Sequence, residues 1–220
     1  ASNVTGDNSI IHVDRAEFED VYHGIYIHNA EQPVITRSNF RIAATYPGVH
    51  YDPNITYAYG IYLDACKGYR IEENHLSNFA SRDAIYGIVI NESGPENNEI
   101  YQNYLDTIAF AIQPQNNNRG EDTTGLGIYC NQMQANYIDI LVLDNGIARN
   151  QLILINNGTS YPDQFAAGNT FTSGFHYDYQ HYANTSPVYI NYYPDANNIP
   201  QYLYRVNIPQ IPPLSLSCPS

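Results

Sequence analysis

Basic residues are scarce in this chain: a single lysine, Lys67, and eight arginines stand against 22 acidic residues, for a net charge of −13. A surface this negative repels phosphate backbones, which excludes nucleic acid as a partner class and disfavours docking on an anionic membrane. One lysine also leaves few candidates for phosphate or Schiff-base chemistry. Charge of both signs is sparse, at 14% of residues, while aromatics reach 13%; a disordered chain would show the opposite balance. Apolar runs of membrane-spanning length are missing, so no direct insertion is expected. Cysteine is rare too: Cys66, Cys130 and Cys218 lie far apart, without CxxC or Cys/His spacing, and no zinc site is legible. Three is an odd number, so at least one thiol is free or paired outside the segment. Cys66 and Cys130 each end a β-type run and read as small buried core residues; the pairing of Cys218 stays open. Gly-x-Ser-x-Gly, Walker and dinucleotide fingerprints are also missing. The chain opens Ala1-Ser2-Asn3, with neither initiator Met nor signal peptide, as a processed or excised segment would. That is no argument for a cytoplasmic home.

What the chain has is repetition. Gly24-Ile25-Tyr26-Ile27 returns as Gly60-Ile61-Tyr62-Leu63, Gly87-Ile88-Val89-Ile90 and Gly127-Ile128-Tyr129-Cys130, with Ala109-Phe110-Ala111-Ile112 as a looser copy. Ser38-Asn39-Phe40, Asn74-His75-Leu76 and Asn103-Tyr104-Leu105 follow the first three, each Asn about 15 residues after its Gly. Later Asn phrases start at Asn131, Asn150 and Asn169, and the distance between copies varies. A fixed strand–turn–strand unit joined by loops of variable length is the pattern of a solenoid, in which each coil touches only its neighbours. Period-two alternation points the Ile residues one way and the Tyr the other. Gly admits a tight backbone entering the strand, and Asn tolerates a left-handed corner. Asn39, Asn74 and Asn103 are then expected to stack as a short structural ladder.

The fold class expected is all-β: a right-handed parallel β-helix with protruding loops and a non-repeating C-terminal cap. Residues 1–186 carry the repeats. Residues 187–220, rich in Pro and Tyr, read as a cap over the last coil or a linker to further domains. Ala43 to Ala58 and Gln113 to Thr124 read as loops on one edge, where ligand contacts usually lie.

Many β-helices cleave or bind polysaccharides, and that chemistry needs clustered carboxylates. Asp64, Glu72, Glu73 and Asp83 sit beside repeat strands, with Lys67 and Arg70 near in sequence, yet the coil after Glu72 offers Tyr101 at the stacked position. These acids read as solvated face charges, and no catalytic residue is assigned. His176 and His181, flanking Asp178, fit no common zinc motif. No metal site or cofactor is assigned, although calcium in the acidic loops stays open. Tyrosine is the informative residue type. Tyr26, Tyr62 and Tyr129 share the outward position of the repeated strand, with Val89 and Ala111 between, and are expected to form an exposed aromatic binding face. The alternative is that Tyr is simply a good strand residue there.

Gly127-Ile128-Tyr129-Cys130-Asn131-Gln132, Gly146-Ile147-Ala148-Arg149-Asn150-Gln151, Ala167-Gly168-Asn169-Thr170-Phe171, Ile190-Asn191-Tyr192-Tyr193 and Ser217-Cys218-Pro219 come in that order. Together they resemble the parallel β-helix region of large modular surface proteins of Bacteroidota that are exported by the type IX secretion system. The resemblance covers roughly the last hundred residues in detail. It implies export to the cell surface or medium, as part of a longer polypeptide, and no particular activity. It also marks Thr107 and Thr123, in Asp-Thr-Ile and Asp-Thr-Thr, as O-glycosylation acceptors. The Asn-x-Ser/Thr sequons at Asn3, Asn54, Asn91, Asn157 and Asn184 read as a product of high Asn content. The function expected is a non-catalytic interaction, adhesin-like or structural module of an exported protein. Its partners would be a glycan, another cell-surface protein or a further copy of itself. A carbohydrate-active β-helix, lyase or hydrolase, is the alternative, and a self-assembling structural module is a further one.

Overall fold

The computed structural model describes residues 11–43, 57–78, 85–120, 124–144, 146–148, 150–155, 163–172, 177–182, 188–190, 200, 202–204, 206–207 and 218. Among them the secondary structure is entirely β, as runs of β-branched and aromatic residues cut by Gly, Asn and Pro dictate. The strands come in threes. First are β1 (His12–Asp14), β2 (Glu17–Val21) and β3 (His23–His28), then β4 (Val34–Thr36), β5 (Asn39–Ile42) and β6 (Ala58–Asp64). Next are β7 (Arg70–Glu72), β8 (His75–Asn78) and β9 (Ile85–Asn91), then β10 (Asn98–Tyr101), β11 (Tyr104–Asp106) and β12 (Phe110–Gln115). A fifth triplet is β13 (Leu126–Tyr129), β14 (Gln132–Gln134) and β15 (Ile138–Leu143). Beyond it lie β16 (Asn150–Ile155), β17 (Asp163–Ala166), β18 (Thr170–Thr172), β19 (Tyr177–Tyr182), β20 (Val188–Ile190), β21 (Leu203–Tyr204) and β22 (Val206–Asn207).

Three sheets collect every third strand as far as β15. The first runs β1-β4-β7-β10-β13, the second β2-β5-β8-β11-β14-β18, and the third β3-β6-β9-β12-β15-β19-β21. Their neighbouring strands are parallel. That strand order is consistent with a parallel β-helix. A fourth sheet, β17-β16-β20-β22, contains an antiparallel β16–β17 pair, which repeat counting does not foresee. Past residue 187, β20 pairs with β16, β21 with β19 and β22 with β20. Gln113 to Gln115, read above as the start of a loop, belong to β12; residues 44–56 lie outside the described residues.

Parallel register stacks like on like. Ile35, Ile71, Ile100 and Ile128 form one column in the first sheet, at most 1% exposed. Phe40, Leu76, Leu105, Met133 and Phe171 form another in the second, and Ile61, Ile88, Ile112 and Ile140 a third in the third sheet. All belong to one hydrophobic core shared by the three sheets. Each such side chain contributes about 1.5–3 kcal/mol relative to exposure. Gly24, Gly60 and Gly87 are stacked as well, for a different reason. A Cβ on Gly87 would lie 2.5 Å from the carbonyl oxygen of Ala111, and one on Gly60 would lie 3.0 Å from that of Gly87. The neighbouring backbone occupies the space a side chain would need.

The corner between the first and second sheets is built by two adjacent residues. Arg15, Arg37, Glu73, Gln102 and Cys130 all take positive φ, 50° to 58°, which costs roughly 1–2 kcal/mol for each residue bearing a Cβ. The residue after each forms the ladder. Ser38 N–H donates to Asn74 Oδ1 (3.0 Å), Asn74 N–H to Asn103 Oδ1 (3.0 Å), Asn103 N–H to Asn131 Oδ1 (2.9 Å) and Asn131 N–H to Asn169 Oδ1 (2.9 Å). The Nδ2 groups of these Asn residues donate to the carbonyls of Ile35, Ile71, Ile100 and Ile128 at 2.8–3.0 Å. Asn74 and Asn103 are thus in the ladder and Asn39 is not. Ser38 holds its rung, and Asn39, exposed, donates to Glu17 Oε1 at 2.7 Å. The left-handed residue is also not the Asn but the one before it.

Cys130, read above as a small buried core residue, is buried at 6% exposure and is also disulfide-bonded to Cys218, with Cα atoms 5.9 Å apart and a sequence separation of 88. Cys66 is the free thiol, buried, donating to the carbonyls of Ile27 and Asp64 at 3.4 Å, and burial pushes its pKa up. Among the described residues no helix is long and apolar enough to cross a membrane.

Candidate ligand-binding face

The third sheet carries the densest set of aromatic side chains, and its register explains why. His23, Tyr59 and Tyr86 precede the stacked glycines and align with one another and with Phe110. His23 stacks on Tyr59 (centroids 4.5 Å apart, planes at 14°) and Tyr86 on Phe110 (4.9 Å, 18°). Tyr57 sits edge-on to Tyr86 at 5.2 Å, linking the two stacks. Three residues further along the strands, Tyr26 pairs with Tyr62, their rings 5.5 Å apart, and Tyr62 is edge-on to Tyr59 at the same distance. Each such contact is worth about 0.5–1.5 kcal/mol beyond area burial, so the rings hold one another in place. Ile61 and Leu63 point into the core, Tyr62 is half-buried and Tyr26 is 49% exposed. Tyr26 and Tyr62 therefore lie on the outer face.

Beside the rings runs a polar row. His28, Asp64, Asn91 and Gln115 are register partners on successive strands. Asp64 Oδ2 accepts from His28 Nδ1 (2.9 Å) and the Tyr26 hydroxyl (3.2 Å), and Asp64 Oδ1 accepts from Asn91 Nδ2 (2.7 Å). Asn116 Nδ2 donates to Asn91 Oδ1 (2.7 Å), and Gln115 Nε2 to the Tyr62 hydroxyl (3.0 Å). Burial holds the Tyr59 and Tyr62 hydroxyls protonated, their pKa values pushed up to about 12. The Tyr26 hydroxyl is raised too, by burial and then by the Asp64 charge. His23 is lowered by burial, which keeps its stacked ring neutral at pH 7. The face offers flat rings, hydroxyl donors and a carboxylate acceptor, with no arginine or lysine in the row.

The other residues singled out from sequence are dispersed. Tyr129 lies in the first sheet, register partner of Tyr101, its ring packed over Gly127 and its pKa raised by burial. It is no part of the Tyr26–Tyr62 face. Val89 does pair with Tyr62, but the next partner is Gln113, while Ala111 continues the glycine column. Glu72 is on the first sheet with Arg70 at 3.4 Å, and Tyr101 is its register partner. Glu99, not singled out above, shares that face, and its pKa is raised by burial and then by the Glu72 charge. Glu73 is a left-handed corner residue. Thr107, exposed at a left-handed corner, donates its hydroxyl to the Asn78 carbonyl at 2.6 Å. His181 is buried against the Asp144 carbonyl at 3.0 Å. Asp83, Thr123, His176, Asn3, Asn54, Asn157 and Asn184 lie outside the described residues. Among the described residues no group of three or more His, Cys, Asp or Glu is arranged to hold a metal ion. The signal for the missed aromatics was in the sequence: the residue before Gly24, Gly60 and Gly87, together with Phe110 before Ala111, is His or aromatic.

Comparison with protein-family models, with curated proteins and with solved structures gives no match.

Proposed function

We propose that this chain is a right-handed parallel β-helix with protruding loops and a C-terminal cap, serving as a non-catalytic, adhesin-like interaction module of an exported protein. The aromatic face of the third sheet, edged by the Asp64 network, carries the reading. Rings with hydroxyls, partly exposed and fixed by one another, suit contact with a glycan or a protein neighbour. Two further observations support export. A disulfide closing a long segment fits an oxidising compartment. Its two cysteines also fall in segments that carry the resemblance to type IX secretion substrates. The test is retention of the purified chain on arrays of glycans and of exported surface proteins, against the Tyr26→Ala/Tyr62→Ala double variant. At least tenfold weaker retention with unchanged circular dichroism is expected. Equal retention of both proteins, or retention of neither, overturns the reading.

One observation favours a second reading, a carbohydrate-active enzyme. Glu99 holds its proton more tightly than an ordinary glutamate and shares a face with Glu72, as a general acid beside a second carboxylate would. Sugar products released by the native chain and abolished by Glu99→Gln would replace the binding-module reading with this one.

A further inference from the structure

We infer that the end of the third sheet formed by Tyr26, Tyr62, Asp64, Asn91 and Gln115 is a binding site for an extended, neutral hexose polymer. The inference rests on the reading of this face as a contact surface and names what it contacts.

The chemistry of the row narrows the ligand. A sugar hydroxyl both donates and accepts, and needs both kinds of partner within one reach. Asp64 supplies the acceptor, while Asn91, Asn116 and Gln115 supply amides already aimed along the face. Sugar rings expose C–H faces that lie against Tyr, and Tyr26 is 49% exposed. Its hydroxyl is tied to Asp64 at 3.2 Å and its ring leans on Tyr62, so little side-chain freedom remains to be lost on binding. Sign is decided as well. The row holds a carboxylate and neither lysine nor arginine, within a chain of net charge −13, so polyuronates and sulfated glycans are repelled. A neutral polymer is not.

Geometry fixes the direction. Neighbouring strands lie about 4.8 Å apart, so His28, Asp64, Asn91 and Gln115 repeat along the stacking direction at a step close to one hexose. A glycan running across the strands would meet an equivalent polar group at each sugar, with Tyr26 and Tyr62 along one side. A strand-parallel ligand would meet the row only once.

Affinity electrophoresis of the native chain in gels containing soluble β-glucan, mannan, galactomannan or polygalacturonate tests this. Retardation by at least one neutral polymer and none by polygalacturonate is expected. Tyr26→Ala and Asp64→Ala should each weaken retardation at least tenfold, while Asn39→Ala, on another sheet, should leave it unchanged. Thermal melting of each variant shows that it is folded. No retardation by any neutral polymer, a preference for polygalacturonate, or retardation of both site variants as strong as the native chain's would overturn the assignment. If retention on the surface-protein array still depends on Tyr26 while no polymer retards the chain, the module reading stands and the saccharide site alone fails.

Discussion

Asp139 occupies a position that earlier strands reserve for Gly. It aligns with Ala111 and, through it, with the Gly87–Gly60–Gly24 column, and the next residue in line is Asp178. Both residues are 4% exposed. Burial pushes the Asp139 pKa up to about 8, the Asn136 amide at 2.9 Å opposes this, and the Asp178 charge adds to the rise. Since the unfolded chain ionises this group near 3.8, the stability it contributes is fully present below about pH 4. That stability drains away as pH rises, and the loss is complete just above pH 8. Melting temperature is accordingly predicted to fall between pH 5 and pH 8. Asp139→Asn, which still accepts from Asn136, should flatten that slope and melt higher at pH 8, by several degrees. An unchanged pH–melting profile in Asp139→Asn would show that the carboxyl does not drive it.

At the level of strands and corners, the recurring phrases announced parallel β structure but not which strand each belonged to. The ladder Asn lies two residues before a core residue: Asn74 before Leu76, Asn103 before Leu105, Asn131 before Met133, Asn169 before Phe171. By that rule Ser38, before Phe40, is the rung. Alignment on the letter Asn selected Asn39 instead. The same ruler separates the glycines. Gly24, Gly60 and Gly87 stand far ahead of the next ladder position, whereas Gly127 stands four residues before Asn131 and so belongs to another sheet. Tyr129 was drawn into the wrong face because Gly-Ile-Tyr suits any strand with a tight neighbour. Asn103→Ala would strip the Asn74 N–H and the Ile71 carbonyl of their buried partners. A loss of about 3 kcal/mol is predicted from urea unfolding. Asn39→Ala, at an exposed site, should change stability by less than about 0.5 kcal/mol. Similar losses in both would remove the distinction between rung and neighbour.

Across the whole molecule, all-β architecture and a shared apolar core were legible from period-two patterning and repetition. The disulfide was not, since pairing depends on where the chain returns and not on local pattern. Closing 88 residues restricts the unfolded chain by about 4–5 kcal/mol in the loop-entropy account. Dithiothreitol and Cys218→Ser are each predicted to lower the melting temperature by roughly 10 °C. Cys66→Ser should leave the response to reductant intact. A native chain indifferent to reductant would argue against this pairing. The bond also determines how the chain carries load. A pull applied at the C-terminus passes through the sulfur atoms straight to Cys130, so the segment between the two cysteines is left out of the force path. In single-molecule stretching the oxidised chain should extend short by the length of that segment, about 30 nm at full extension. The missing length should return on reduction. Under tension the chain would thereby keep the strands between Cys130 and Cys218 folded until earlier ones had given way.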